Sequence, residues 1–337
     1  MRKFIYLLAV AWPLTATAAD PSQTVTTALS DHILPRIEQL ETTTQALQIT
    51  AQSQCNAESE DLQAAFHTAF DAWINVSHLR FGPTEVGDRA FALAFWPDTK
   101  GFTPKTLANL IQSEDPAVQD PEEFAHVSIA GRGFFALEFL LYDASLREMG
   151  ADTYRCELVQ AITTNIHDNA TAILMDWQDT YSDTLQNPSE TSIYRNEDEA
   201  VQELFKAFNA GLQFTSDTRL GRPLGTFDRP LPARAEARRS ERSRRHIEVS
   251  LTALQELAAI LADGNPSLQQ KFTEAFETSQ ARLTKVNDPS FASVTNVQDR
   301  FLLELVQQSI DHIREISATE LGPKLGVAAG FNSLDGD

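Results

Sequence analysis

Apolar side chains recur at three- and four-residue spacing along most of this chain, which is the period of an amphipathic helix. Between Ala57 and Leu79 they fall at Leu62, Phe66, Ala69, Trp73, Val76 and Leu79. Similar stripes cover 26–47 (with Pro35 expected to kink it), 124–146, 156–181, 200–212, 234–261, 266–283 and 297–316. The alternation that marks a strand is not sustained anywhere. Breakers collect between the stripes, in "RFGPTEVGD", "FWPDTKGFTP", "NPSETS" and "RLGRPLGTFDRPLP". Long helices joined by modest loops bury their stripes against one another, so the expected fold class is all-α and built of helical bundles.

Two stretches echo each other. "AFDAWINVSHLRFGP" (Ala69 to Pro83) and "AFNAGLQFTSDTRLGRP" (Ala207 to Pro223) share Ala-Phe-(Asp/Asn)-Ala. Each reaches an arginine, Arg80 or Arg219, ten or eleven residues after the phenylalanine. The echo raises the expectation of an internal duplication, two related bundles over 20–186 and 193–337 that meet near "NPSETS".

One charge breaks the most apolar stripe. In "GRGFFALEFLLYD" (Gly131 to Asp143), Glu138 stands within FFALEFLL, where a helix has no wet side. A carboxylate there must be paired, hydrogen-bonded, protonated or bound to a metal. Arg80 and Arg89 are candidate partners, as are the arginines of "ARAEARRSERSRRHIEVSLTALQELAAIL". Extending that helix's apolar stripe backwards from Ile247 reaches Ser243, Ser240 and Glu236, so its core side is expected to turn polar at the start. Gly131-Arg132-Gly133 lies within the helical stripe and reads as close helix packing.

Charge and cysteines narrow the setting. The chain has 337 residues, with 27 basic against 47 acidic, a net charge of −20. That excess argues against nucleic acid as a partner. The start, "MRKFIYLLAVAWPLTATAAD", reads as a secretory signal over residues 1–19, and no stretch is long and apolar enough to span a bilayer. A soluble, periplasmic protein is expected, with no lipid-anchor cysteine after the cleavage point. The two cysteines, Cys55 and Cys156, are expected to form one disulfide. No His-Glu-x-x-His, Gly-x-Ser-x-Gly, phosphate loop or Gly-x-Gly-x-x-Gly turn occurs. The end, "GFNSLDGD", carries Asp335 and Asp337, hard oxygen donors that could hold a divalent cation or form a frayed acidic tail.

The segments "LRFGPTE", "FWPDTKG", "GRGFFALEFLLYD", "RLGRPLG", "RAEARRSERS" and "GFNSLDGD", in this order, together resemble the imelysin-like family, classed among peptidases as M75-like. The resemblance implies an all-helical fold of two four-helix-bundle-like halves, an envelope or periplasmic location and a link with iron acquisition. The family's motif Gly-x-His-x-x-Glu falls here on Gly133, Phe135 and Glu138. Phenylalanine stands in the histidine position, and a phenyl ring neither ligates metal nor moves a proton. Glu138 is therefore expected as the surviving member of a metal-type pair, within a buried polar patch of Arg80, Gly133, Glu236 and Ser240.

The reading that follows is a non-enzymatic periplasmic binding or accessory protein of iron or metal acquisition. Its cofactor is unknown, with iron or another divalent metal ion as the candidate. Its partners are the metal ion or envelope iron-uptake proteins. The alternatives are a structural or interaction protein of the envelope without a metal site, and a metallopeptidase.

Overall fold

The computed structural model describes residues 20–327; the signal reading of residues 1–19 and the acidic tail with Asp335 and Asp337 lie outside the described residues. Ten helices carry the fold: α1 Pro21–Thr27, α2 Leu34–Ser53, α3 Glu60–Val76, α4 Phe102–Ser113, α5 Gly133–Tyr142, α6 Asp152–Asp176, α7 Glu197–Gln213, α8 Ser243–Leu261, α9 Pro266–Leu283 and α10 Val297–Ile316. Shorter turns link them. No β-strand occurs among the described residues, only an isolated bridge between Thr226 and Arg229. The fold is all-α, as the periodicity requires.

The helices pack in two groups. In the first, α2 lies against α3 and α6, and α5 lies against α6, α3 and α4. In the second, α7, α8, α9 and α10 pack in turn, and α10 closes back on α7. Contact between α3 and α8 joins the groups. The first helix crosses the division: α1 packs on α7 of the second group, whereas its continuation α2 belongs to the first. The expected kink at Pro35 is a wide turn of π-helix, Ala28–Ile33, just ahead of it. Pro35 has no N–H to return to the carbonyl four residues back, and the Leu34 N–H bonds instead to the Leu29 carbonyl, five back.

Two stripes become helical later than their spacing implies. The 124–146 stripe is not one helix: a short turn at Pro121–Phe124 and a 3-10 turn at Ile129–Gly131 precede α5. Gly133 opens α5 with φ +75°. A Cβ there would overlap the backbone oxygens of Ala92 and Leu93. The close packing expected at this glycine is real, but it lies at a helix start and not within a helix. The 234–261 stripe likewise becomes helical only from Ser243. The two echoing stretches do occupy α3 and α7, each running on to its arginine, but the arginines differ in setting: Arg219 is buried and Arg80 is not.

No helix among the described residues is long and apolar enough to cross a membrane. Cys55, between α2 and α3, is bonded to Cys156 in the first turns of α6, with Cα atoms 5.0 Å apart. The bond closes a loop over a sequence separation of 101. Replacing both cysteines by alanine is expected to lower the unfolding free energy by about 2–4 kcal/mol, through greater freedom of the unfolded chain. Denaturant midpoints of the parent and the double variant measure this; coincident midpoints would show that the bond carries no stability.

Candidate functional site

The strained start of α5 sets the direction of the helix. From there Phe134, Phe135, Leu137 and Leu141 are all buried, and Glu138 is 1 % exposed. Among the described residues the carboxylate makes no ion pair. Its Oε1 accepts two hydrogen bonds from Ser240, from the backbone N–H at 2.9 Å and from the hydroxyl at 2.8 Å. Arg239 is close but committed elsewhere: it pairs with Asp143 at 3.1 Å and lies 3.5 Å from the Phe139 ring centroid. Burial pushes the Glu138 carboxyl up from its ordinary range, against the Ser240 hydrogen bonds and the positive charge of Arg239. Glu138 is thus hydrogen-bonded, one of the four possibilities open to it, and Arg89 instead pairs with Asp176 at 2.6 Å.

The Ser240 bonds explain why the arginine-rich stretch is not a helix where its stripe implies one. In a helix the Ser240 N–H would return to the Glu236 carbonyl. Here it goes to Glu138, and the Glu236 carbonyl accepts the Ser243 hydroxyl at 2.6 Å. Ala237 and Glu241 turn to positive φ, 46° and 57°. The segment 235–242 is a tight irregular loop wedged between the helix groups, with Glu236 and Ser240 buried.

Glu236 has the ion pair that Glu138 lacks. Its Oε2 accepts Arg219 Nε–H at 2.8 Å and faces His246 Nδ1 at 3.1 Å. Arg219 spreads its remaining donors over Thr215, Ser250 and Ser77, the last on the first helix group. Burial opposes ionisation of Glu236, yet Arg219 and His246 outweigh it and hold the carboxyl at about 2. The expectation that Arg80 joins this patch is wrong. Arg80 leaves α3 in a partly exposed turn, pairs with Glu85 and lies over Phe91. A carboxylate five residues away is reached without desolvation; the buried role falls to Arg219, its counterpart in the echo.

Behind Arg219 lies a feature the sequence did not signal. His32, in the π turn, and His78, after α3, share one hydrogen bond between their Nε2 atoms at 2.8 Å, both rings buried. One imidazole donates and the other accepts, so the two cannot both be protonated. Burial, then the neighbouring imidazole and Arg36, pushes His32 well down; burial, then Arg36 and Arg219, holds His78 at about 3. Arg36 itself donates to the His32 carbonyl and pairs with Glu256 on α8.

A cavity of about 510 Å³ opens between the helix groups in front of this network. Trp73, Trp96 and Phe135 wall it from one group, and Gly211, Phe214 and Arg219 from the other. Phe135, in the motif's histidine position, thus faces the cavity, while Glu138 is not among its walls. Volume, aromatic walls and position between two packed units are those of a ligand site. The residues do not fit a resident metal. Glu138 Oε1 is taken by Ser240, and Glu236 Oε2 by Arg219 and His246 Nδ1. No three His, Cys, Asp or Glu side chains converge among the described residues.

Comparison with known proteins follows the geometry closely. A family model described as imelysin, peptidase class M75, matches residues 33–316. No curated protein matches the chain. Among solved structures, an imelysin-like protein from Psychrobacter arcticum is similar at a TM-score of 0.76 and 19 % identity, covering 96 % of this chain and 100 % of that one. A putative iron-regulated protein A precursor from Parabacteroides distasonis is similar at a TM-score of 0.75 and 13 % identity, covering 92 % of this chain and 95 % of that one. At these identities the likeness is one of fold.

Glu138→Ala leaves the buried Ser240 N–H without an acceptor and its hydroxyl with only the Ala237 carbonyl at 3.2 Å, and is expected to cost about 3 kcal/mol, while Glu138→Gln, which keeps an acceptor, should cost about 1 kcal/mol or less. Equal melting of parent and Glu138→Ala would contradict the assignment.

Acid should weaken the fold in two windows. The His78 ring stays neutral down to about 3 in the fold but titrates near 6.5 when unfolded, so stability falls as pH drops from 6.5 towards 3. Glu236, held at about 2 against an ordinary 4.5, contributes stability above 4.5 that is lost as pH falls towards 2. Glu138, raised in the fold, acts in the opposite sense, its contribution present at low pH and lost as pH rises through its folded value. Glu236→Gln, which strips Arg219 of its counter-charge, should cost about 3–5 kcal/mol at neutral pH. It should also flatten the melting curve's dependence on pH between 4.5 and 2; profiles parallel to the parent's would contradict this.

Proposed function

This chain belongs to the imelysin family, and from that premise we propose that it is an exported binding or accessory protein of iron acquisition, acting through the cleft between its helix groups rather than by hydrolysis. The observation that carries the reading is Phe135 on the wall of a 510 Å³ aromatic cavity, where the family motif has a histidine. A hydrolytic metal centre needs converging ligands and a general base. Among the described residues each buried glutamate has one oxygen bonded to protein donors, and no three His, Cys, Asp or Glu side chains converge. The site therefore favours capture of a molecule over its cleavage.

Two further observations support the setting. The disulfide Cys55–Cys156 suits an oxidising compartment, which together with the signal-like start favours export to the periplasm. The Parabacteroides distasonis structure bears a name that joins iron regulation with a precursor form. Iron-uptake proteins of the envelope are the partners this reading implies.

Deleting the gene from its host should slow growth when iron is scarce and leave growth with ample iron unchanged. The parent chain should restore growth, and Ala210→Trp, which fills the cavity from α7, should not. Purified protein should cleave peptides no faster than background. Unimpaired growth of the deletion strain, or chelator-sensitive cleavage lost in Glu138→Ala, would overturn the reading.

A further inference from the structure

Three large apolar side chains stand exposed together on one corner of the second helix group. Phe227, 71 % exposed, forms the tip of a turn closed by the bridge between Thr226 and Arg229. Val297 and Phe301, 69 % and 56 % exposed, lie one turn apart at the start of α10 and so share one face of it. Arg300 ties the turn to the helix. Its Nη1 donates to the Leu224 carbonyl at 2.6 Å, and its guanidinium carbon lies 5.8 Å from the Phe227 ring centroid. The turn Pro232–Arg234 packs on Ala292–Thr295, just ahead of α10, so loop and helix start form one surface. Exposed apolar groups clustered within a polar rim mark an interaction surface.

The charges at this corner depart from those of the chain. The whole sequence carries 47 acidic against 27 basic residues, yet from Gly221 to Ala235 there are three arginines and one acid, Asp228. Arg229 stands at the base of the Phe227 turn and Arg234 ends the turn beside α10, both exposed. Arg222, half-buried, lies on the short helix Gly221–Leu224, which packs on the turn of Arg234 and on α10. On α10 Asp299 is a second acid, and Arg300 is paired with Glu304 at 2.7 Å. Three arginines thus face two acids, the reverse of the chain's balance. Apolar groups at a turn tip and a helix start, flanked by arginines, can enter a bilayer's headgroup boundary while the cations meet its phosphates. The acidic remainder does not forbid this. Charges are screened over ~8 Å in physiological salt, so an anionic surface senses the nearby arginines first.

We propose that this corner docks the protein on an anionic lipid surface, with Phe227, Val297 and Phe301 entering the headgroup boundary and Arg222, Arg229 and Arg234 at the lipid phosphates. The contact is peripheral and reversible, since no helix among the described residues is long and apolar enough to cross a membrane. Docking of this kind holds whatever the cleft binds. It also sets the cleft close to the membrane, because the Arg222 guanidinium carbon lies 5.7 Å from the ring centroid of Trp96, a wall of the cavity.

Residues 1–19 include an apolar run that would itself bind lipid, so the test uses the chain from Asp20 onward. Co-sedimented with vesicles of mixed phosphatidylglycerol and phosphatidylcholine, it should partition onto them roughly tenfold more than onto phosphatidylcholine alone, and sodium chloride should weaken the binding. Arg229→Gln should weaken partitioning roughly fivefold, the effect of one arginine near an anionic surface. Phe227→Asp and Phe301→Asp should each weaken it roughly tenfold or more. All three positions are exposed, and melting curves that match the parent's show that the variants fold. Ile49→Asp, at an exposed apolar position on α2 of the other group, should bind as the parent does, as should Ala210→Trp in the cleft. Equal binding to both vesicle types would overturn the proposal, as would no binding, or binding that Phe227→Asp and Arg229→Gln leave unchanged or that folded Ala210→Trp loses. Phe227→Asp splitting a dimer in gel filtration would instead assign the corner to a second copy of the chain. Displacement by inorganic phosphate beyond that by chloride at equal ionic strength would assign it to a free anion, and either result overturns lipid docking.

Discussion

Glu138 has to find hydrogen-bond donors without water, and its solution governs the region between the helix groups. Helix α5 offers it none, because every face of that helix is apolar and packed. The donors come from Ser240, which gives both its N–H and its hydroxyl. Having given its N–H away, Ser240 cannot continue a helix through Glu236. The loop 235–242 then turns Glu236 inwards, where Arg219 meets it and reaches on to Ser77 of the other group. One buried carboxylate thus dictates the shape of a loop 102 residues away, and that loop places the second carboxylate and its arginine beside the cavity.

Much of the fold was legible because the apolar stripes settle it. The stripes at 266–283 and 297–316 coincide with α9 and α10, and the all-α class follows from period alone. The burial of Glu138 was legible for the same reason, since nothing around it could face water. Ser240 was expected in the same patch, but not that it would give its backbone N–H to Glu138. A stripe extended backwards from Ile247 assumes that each N–H returns four residues back, and Ser240 spends its N–H on a residue far away in sequence. The preference for Arg80 over Arg219 failed similarly: the two are equivalent in the echo, and only the nearness of Glu85 separates them. The His32–His78 contact joins residues 46 apart without a motif, so no spacing announces it.

Electrostatics and chemistry converge on the cleft. In this strongly acidic chain the arginines Arg80, Arg219 and Arg239 near the site each pair with a carboxylate of the chain itself. Phe135 adds apolar surface where the family motif has a histidine. At that position the wall is therefore aromatic and offers no metal donor. The buried hydrogen bonds behind it, from Glu138 to Ser240 and from Glu236 through Arg219 to Ser77, tie the two helix groups together beside the wall.

The dependence of the loop on Glu138 can be read most directly from amide hydrogen exchange at Ser240. If the carboxylate holds the loop, the Ser240 N–H is strongly protected in the parent chain. In Glu138→Ala, protection of Ser240 and its neighbours in 235–242 should collapse while α9 and α10 keep theirs. Unchanged protection of Ser240 in Glu138→Ala, or free exchange in the parent, would contradict the central role given to this hydrogen bond.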